Sequence, residues 1–339
     1  MHRCIELAKL GEGYVAPNPM VGAVLVFEGR IIGEGFHKEY GEAHAEVNCL
    51  NSVKEEDRKF ISQSTLYVSL EPCNFFGKTP PCTDLILKNK IPKVVIGCHD
   101  PNKEVDGKGI EKLKTEGIIV VYGILEKECV ELNKRFITFQ KQQRPFIILK
   151  WAQSSNNKIS GSGKARLLIS NEKTNRLVHK WRSEEAAILV GANTALQDDP
   201  ELTNRFWDGP SPTRLVLDMD LKLPESLKVF NRKQRTIIFN SQKYEEKENL
   251  IFYKIDKDKN TVHQLIESLF QLNIQSVLVE GGAKMLQSFI DENTWDEIRV
   301  IKNEKLIINN GLASPQMPAL TTVEETRIGS DLVNTYIRS

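Results

Sequence analysis

Apolar positions along the chain recur with two periods, and the order in which those periods alternate predicts the architecture. Residues 1–10 space their apolar side chains as a short amphipathic helix. VGAVLVF (21–27) and RIIGEGF (30–36) are β-branched apolar runs split by Glu28-Gly29, the pattern of two strands joined by a tight turn. A helical pattern follows from about Ala43 to Val53, then a strand at TLYVSL (65–70), a helix at TDLILKNK (83–90), a strand at KVVIGC (93–98) and a fifth strand in GIIVVY (117–122). This order predicts an α/β sheet with most of its surface covered by helices. Residues 126–144 are charged and partly helical in pattern, and Pro145 ends them, which sets a domain boundary between residues 1–143 and 144–339. The alternation then restarts. Strands are predicted at FIILK (146–150), AAILVG (186–191), RLVLD (214–218), TIIFN (236–240) and SVLVEGG (276–282). Helices are predicted over about Asn171–Arg182, VHQLIESLFQL (262–272) and KMLQSFID (284–291), before a strand-rich end. The second half is therefore another α/β domain, with motifs of its own.

Composition narrows the function classes. A chain of 339 residues exceeds one typical core, in keeping with two domains. Its 40% hydrophobic and 27% charged residues describe an ordinary globular protein. A formal net charge of +1 gives no electrostatic footprint for nucleic acid, and no apolar run is long enough to span a bilayer. The N-terminal residues carry neither a long apolar core nor a small-residue cleavage site, so no secretion signal is expected. Six cysteines in so long a chain do not form a disulfide scaffold, and Cys4, Cys49, Cys98 and Cys129 read as small core residues. A reducing cytoplasm fits this usage. Free edge strands in two α/β domains make a homodimer or larger assembly the expected state.

The chemistry concentrates in two stretches, GEAHAEVNCL (41–50) and EPCNFFGKTPPC (71–82). His-x-Glu followed by Pro-Cys and a second cysteine is the pattern of zinc-dependent nucleobase deaminases. One imidazole and two thiolates hold Zn²⁺ and leave the fourth tetrahedral position for water. The metal lowers the pKa of that water to roughly 7, and a carboxylate that is not a ligand carries its proton to the departing amine. His44, Cys73 and Cys82 are the expected ligands and Glu46 the expected acid/base. Residues two apart do not share a helix face, so His44 and Glu46 both reach the metal only if His44 sits at a helix edge. Cys82 opens the helix predicted at 83–90, where the positive end of the dipole favours a thiolate. The same residues also allow a closed structural zinc, with a fourth ligand from Cys49, Cys98 or His37. In the second half, SVLVEGGAK places two glycines between a strand and a helix start, where backbone amides can cradle a phosphate. No GxGxxG follows the first strand, which argues against a Rossmann domain.

Beyond these two stretches, PNPMVGAVLV (17–26), GEGFHKEYGEAHAEV (33–47), HDPNKEVDGKGI (99–110), RPFIILKWAQS (144–154), LVHKWRSEEAAILVGANTALQDDPELTNR (177–205) and VLVEGGAKMLQSFI (277–290) run through nearly the whole chain. Together they resemble the bifunctional deaminase–reductases of riboflavin biosynthesis. The resemblance implies a cytidine-deaminase-like α/β/α sandwich followed by a dihydrofolate-reductase-like α/β domain. It also implies deamination of a phosphoribosylamino-pyrimidine and NADPH-dependent reduction of its ribosyl group to ribityl. Generic cytidine deaminases and transfer-RNA adenosine deaminases lack GKTPPC and the second half.

Carried over residue by residue, the resemblance gives Asn18, His37 and Lys78 to the pyrimidine substrate, and Arg182, Leu202, Arg205 and Glu280 to the substrate of the reductase half. It gives NADPH to Ala152, Leu168, Thr194, Asp198 and the run Gly282, Ala283, Lys284, Met285, Leu286, Gln287 and Ser288. At three places, the last of them spanning Arg166 and Leu168, the chain differs from the family pattern. Phe75 stands where a histidine is usual, Ser154-Ser155-Asn156-Asn157 replaces Ser-x-Asp-Gly, Leu168 replaces a tryptophan, and Arg166 occupies a neighbouring substrate position. Asn tolerates the left-handed turn conformation that Gly supplies, so the bend at 154–157 is expected to persist.

Overall fold

The computed structural model describes residues 1–76, 80–102, 105–161 and 167–338. Lys78 and Arg166, both singled out above, lie outside them. The chain divides into two compact units, Met1–Gln143 and Arg144–Ser339.

The first unit runs α1 (His2–Lys9), β1 (Gly22–Phe27), β2 (Arg30–Phe36), α2 (Ala45–Asn51), β3 (Thr65–Leu70), α3 (Cys82–Lys88), β4 (Lys93–Cys98), α4 (Lys108–Thr115), β5 (Ile119–Tyr122), α5 (Glu126–Leu132) and α6 (Lys134–Gln142). Its five strands are ordered β2-β1-β3-β4-β5. β2, β1 and β3 pair antiparallel, whereas β3, β4 and β5 are parallel. Glu28 and Gly29 both take positive φ, 46° and 78°, and close the β1–β2 turn as their sequence predicts. One face of the sheet packs Leu25, Leu66, Val94 and Ile96 against Ala45, Cys49 and Leu50 of α2, Ile86 of α3 and Ile110 and Leu113 of α4. The parallel arrangement sends the C-terminal ends of β3 and β4 to the same edge, where Glu71–Cys73 and His99–Asp100 emerge. Cys4, Cys49, Cys98 and Cys129 are all buried. α4 and a 3₁₀ segment at Glu55–Gln63 carry too short and too polar a pattern to be read from periodicity.

The second unit runs β6 (Phe146–Ser154), β7 (Lys158–Gly161), α7 (Glu172–Glu184), β8 (Ala187–Gly191), α8 (Ala192–Asp198), β9 (Thr213–Leu217), β10 (Thr236–Asn240), β11 (Glu245–Lys247), β12 (Leu250–Lys254), α9 (Thr261–Gln271), β13 (Ser276–Val279), α10 (Ala283–Asp291), β14 (Glu297–Asn303), β15 (Gly311–Ala313), β16 (Thr322–Ile328) and β17 (Asp331–Ile337). Ten strands form one sheet, ordered β11-β12-β10-β9-β8-β13-β6-β14-β17-β16, and β15 pairs with β7. The centre of the sheet is parallel and buried on both faces, which is why β6, β8 and β13 read as unbroken apolar runs. The strand predicted to reach residue 282 ends at Val279, because the Gly281-Gly282 turn breaks away from the sheet. Asn157 takes φ +60° in the β6–β7 turn, so asparagine supplies the left-handed residue there.

Candidate active sites

In the first unit His44, Cys73 and Cys82 converge, although the two cysteines lie 29 and 38 residues from the histidine in sequence. His44 is the N-cap of α2, with extended backbone (φ −68°, ψ 166°), and Glu46 lies in the first helical turn. This is the helix-edge placement that an i, i+2 pair requires. Cys82 is the first residue of α3. Two contacts tie the start of α3 back to Cys73. The Thr83 amide donates to the Cys73 carbonyl at 3.2 Å, and the Cys82 amide donates to Cys73 Sγ at 3.3 Å.

His44 Nδ1 lies 3.5 Å from Cys73 Sγ and 3.4 Å from Cys82 Sγ, and all three ligating atoms fall within 4.8 Å of one another. Tetrahedral zinc with ordinary Zn–S and Zn–N lengths requires S···N separations of about 3.5 Å. The donor set therefore fits zinc in both chemistry and spacing. Among the described residues no fourth histidine, cysteine or carboxylate joins the cluster, so Cys49, Cys98 and His37 do not close it. Three protein ligands leave a position for water.

The electrostatics around the ligands follow from burial and mutual contact. Hydrogen bonding to Cys82 and His44, opposed by burial, pulls the Cys73 thiol well below its ordinary range. Cys82, the proton-bearing partner and itself buried, is pushed up. Glu46 is 3% exposed, and burial raises its carboxyl above the ordinary 4.5.

His37 is 2% exposed and stands edge-on to the His44 ring at 5.5 Å. Its Nδ1 faces the Ala43 carbonyl at 3.1 Å, which makes Nδ1 the protonated nitrogen, and its Nε2 accepts from the Asn18 amide at 3.0 Å. Burial lowers the imidazole's pKa and keeps it neutral. Both ring nitrogens are thus used within the protein, and the half-buried Asn18 is the more accessible of the two. Phe75 is half-buried and Phe76 is 75% exposed.

In the second unit Arg182 of α7 and Glu280, just beyond β13, form a bidentate pair at 2.9 and 2.8 Å. Lys150 Nζ of β6 lies 3.6 Å from the same carboxylate. Burial alone would raise the Glu280 carboxyl, but the charges of Arg182 and Lys150 and the hydrogen bonds from Arg182 outweigh it and hold it at about 2. Arg182 also donates to the Thr203 carbonyl at 3.3 Å. The Arg205 amide donates to Nδ1 of buried His179 at 2.9 Å, while the Arg205 side chain is exposed and bonds Glu201 and Thr203. Lys150 and His179 escaped the sequence reading. Lys150 had a signal, a lone charge inside an apolar strand; His179 sits on an apolar helix face where a core histidine is ordinary.

The Gly281-Gly282 turn presses against the end of β8. A Cβ on Gly281 would lie 2.6 Å from Val190 Cα and 2.7 Å from the Gly191 nitrogen, so no other residue fits without displacing the turn. Gly282 has positive φ and caps α10 without a side-chain bond, and Thr194 Oγ1 lies 3.4 Å from where its Cβ would be. A glycine cradle at a helix start suits a dinucleotide's phosphates. An adjoining groove of about 430 Å³ includes Ala283, Lys284, Gln287, Ser314 and Gln316. Burial constrains two of the expected contacts. Leu202 (3% exposed) and Leu286 (1%) turn their side chains into apolar cores, so only their backbones can face a ligand. Asp198 and Lys284 are exposed, Ala152 and Met285 half-buried, and Leu168 is 76% exposed.

Comparisons with known proteins divide the chain in the same way. Residues 1–98 match the cytidine and deoxycytidylate deaminase zinc-binding region, and residues 145–324 match the RibD C-terminal domain. The riboflavin biosynthesis protein RibD of Aquifex aeolicus is 39% identical over 98% of this chain and 96% of that protein. The RibD of Bacillus amyloliquefaciens is 36% identical over 99% and 95%. Among solved structures, a Thermotoga maritima diaminohydroxyphosphoribosylaminopyrimidine deaminase/5-amino-6-(5-phosphoribosylamino)uracil reductase superposes with a TM-score of 0.90 at 37% identity, covering 100% of this chain and 97% of that one.

Proposed function

The chain belongs to the RibD family, the bifunctional deaminase–reductases of riboflavin biosynthesis, and from that premise we propose that Met1–Gln143 carries the deaminase site and Arg144–Ser339 the reductase site. Zinc and NADPH are the cofactors. The substrate is a small phosphorylated pyrimidine, deaminated on its ring and then reduced at its ribosyl group.

In the first site His44, Cys73 and Cys82 would hold zinc, which would supply a water with a pKa near 7. Glu46 is not needed as a ligand and lies in the turn that starts at His44. Its carboxylate would hold the proton taken up at the zinc site and deliver it to the departing amine. Burial suits this work, because it raises the proton affinity of Glu46 above that of an ordinary carboxylate. His37, neutral and fully hydrogen-bonded, orients Asn18 toward the pyrimidine. Lys78 is assigned to substrate by family likeness.

In the second site NADPH supplies the hydride. The start of α10, Gly282–Ser288, would lie against its phosphates, with unpaired amides only in the first turn, and Ala152, Leu168, Thr194 and Asp198 would line the site around it. Arg182 is held by Glu280, and exposed Arg205 is available to the substrate's phosphate, which its planar fork grips as a bidentate partner. Leu202 contributes its backbone.

The observation that carries this reading is the convergence of His44, Cys73 and Cys82 in a triangle of zinc-ligand dimensions beside a buried glutamate. Residence in the cytoplasm and assembly as a homodimer or larger oligomer complete the proposal. They are supported by six free cysteines and by β16, an edge strand exposed along nearly its whole length. No helix of the described residues is long and apolar enough to cross a membrane. The test is a paired assay on the pathway pyrimidine, measuring ammonia release and NADPH oxidation before and after zinc chelation. Chelation is expected to stop ammonia release and to leave reduction of the already deaminated pyrimidine unchanged. Ammonia without NADPH oxidation would leave only a deaminase with a degenerate second domain. Neither signal from zinc-loaded protein would sink the enzyme reading.

A further inference from the structure

Glu71 lies at the end of β3, two residues before the ligand Cys73, and its carboxylate is fully enclosed. Oε1 accepts from the amides of Gly109 (3.0 Å) and Ile110 (3.2 Å), and Oε2 from those of Gly107 (3.1 Å) and Asp100 (3.4 Å), with His99 Nδ1 3.3 Å away. Four backbone donors on one buried carboxylate are far more than a solvated surface glutamate collects. Three of them belong to the start of α4, where unpaired amides and the helix dipole favour negative charge. The anion at this helix start is therefore the protein's own.

Neighbouring contacts carry the anchorage on to the metal ligands. A Cβ on Gly109 would come 2.2 Å from the Pro72 carbonyl oxygen, so only glycine lets α4 lie this close to the Pro72–Cys73 peptide. Asn74 joins the two helix starts, since its side chain contacts the Lys108 carbonyl and accepts from Thr83 Oγ1 at 3.1 Å. The turn bearing Cys73 is thus gripped by α4 on one side and by α3, which bears Cys82, on the other.

We propose that Glu71 is a positioning residue for the metal centre: by pinning the start of α4 to the end of β3, it fixes the path of Pro72–Cys73 and keeps Cys73 Sγ within the ligand triangle. The inference rests on the zinc reading of His44, Cys73 and Cys82. It also makes α4, which contributes no ligand, a brace for the site. Glutamine at position 71 retains the shape but turns an NH₂ group toward two amide donors, so the brace loosens without removal of any ligand.

The test uses the full chain, loaded with zinc, and follows transfer of zinc to a chromophoric chelator. Outer-shell partners of metal ligands are worth roughly 10–100-fold in metal affinity. E71Q is expected to release zinc about tenfold faster than the wild type, and its Co²⁺-substituted form to show altered ligand-field bands. NADPH oxidation by the second unit should be unchanged and serves as the folding control. Zinc release within twofold of wild type from an E71Q chain that still oxidises NADPH overturns the proposal. If E71Q does not accumulate, hydrogen exchange on the wild type decides. Coupling between sites is reciprocal, so zinc removal should speed exchange at the Gly109 and Ile110 amides, and unchanged exchange there overturns the proposal. A wild-type chain that takes up no zinc overturns the metal reading itself, a result distinct from either.

Discussion

Replacing Glu280 with glutamine tests the buried charge cluster of the second unit. The substitution keeps the side chain's shape and removes its charge from between Arg182 and Lys150. A carboxyl held at about 2 instead of the ordinary 4.5 contributes about 3 kcal/mol to stability at neutral pH. Breaking one side of a buried ion pair typically costs roughly 3–5 kcal/mol, and Lys150, freed beside Arg182, adds repulsion. E280Q should therefore lose about 3 kcal/mol at pH 7. Because the folded pKa is depressed, the wild type's advantage is complete above the unfolded value near 4.5. It declines as pH falls from there through 2, where folded Glu280 also takes up a proton. Trp151, Trp181, Trp207 and Trp295 are the chain's four tryptophans and all lie in Arg144–Ser339. Intrinsic tryptophan fluorescence during urea unfolding therefore reports this unit alone. A gap under about 1 kcal/mol at pH 7, or one that does not shrink between pH 5 and pH 3, refutes the assignment of a stabilising buried pair.

Two further substitutions separate the sites. Glu46→Gln should bind zinc as the wild type does and oxidise NADPH normally, yet lose ammonia release by about 10²–10⁴-fold; normal turnover would rule out the proton-carrying role. Gly281→Ala drives a methyl group onto backbone atoms of Val190 and Gly191 that cannot rotate away. It should cost roughly 1–3 kcal/mol of stability and raise the KM for NADPH while ammonia release holds, and an unaltered KM would show that the turn does not serve the cofactor.

Much of the site was written in short range. The pattern His-x-Glu, Pro-Cys and a second cysteine pointed to zinc and left open whether a fourth ligand closed the site, and the structure brings His44, Cys73 and Cys82 together. The helix-edge position of His44 and the helix start at Cys82 followed from elementary helix geometry, and the chain folds that way. The apolar runs at 30–36, 65–70, 93–98 and 236–240 became strands at those bounds, because burial imposes its period on adjacent residues. Other elements were not legible. α4, α8 and β11 are short and polar, and they hold their shape through packing or pairing partners elsewhere in the chain.

By itself, then, the sequence determined two α/β units, the candidate metal ligands and the Asn157 turn. Each of these depends on residue type and spacing within a few positions. Tertiary structure alone decided that Leu202 and Leu286 point into cores, and that Lys150 joins Arg182 at Glu280. It alone showed that His37 serves Asn18 and that Glu71 receives the start of α4, some 36 to 39 residues away. A side chain's neighbours on its own element are set by local geometry. Its partners across strand ends are set by sheet order and register, which no local pattern encodes.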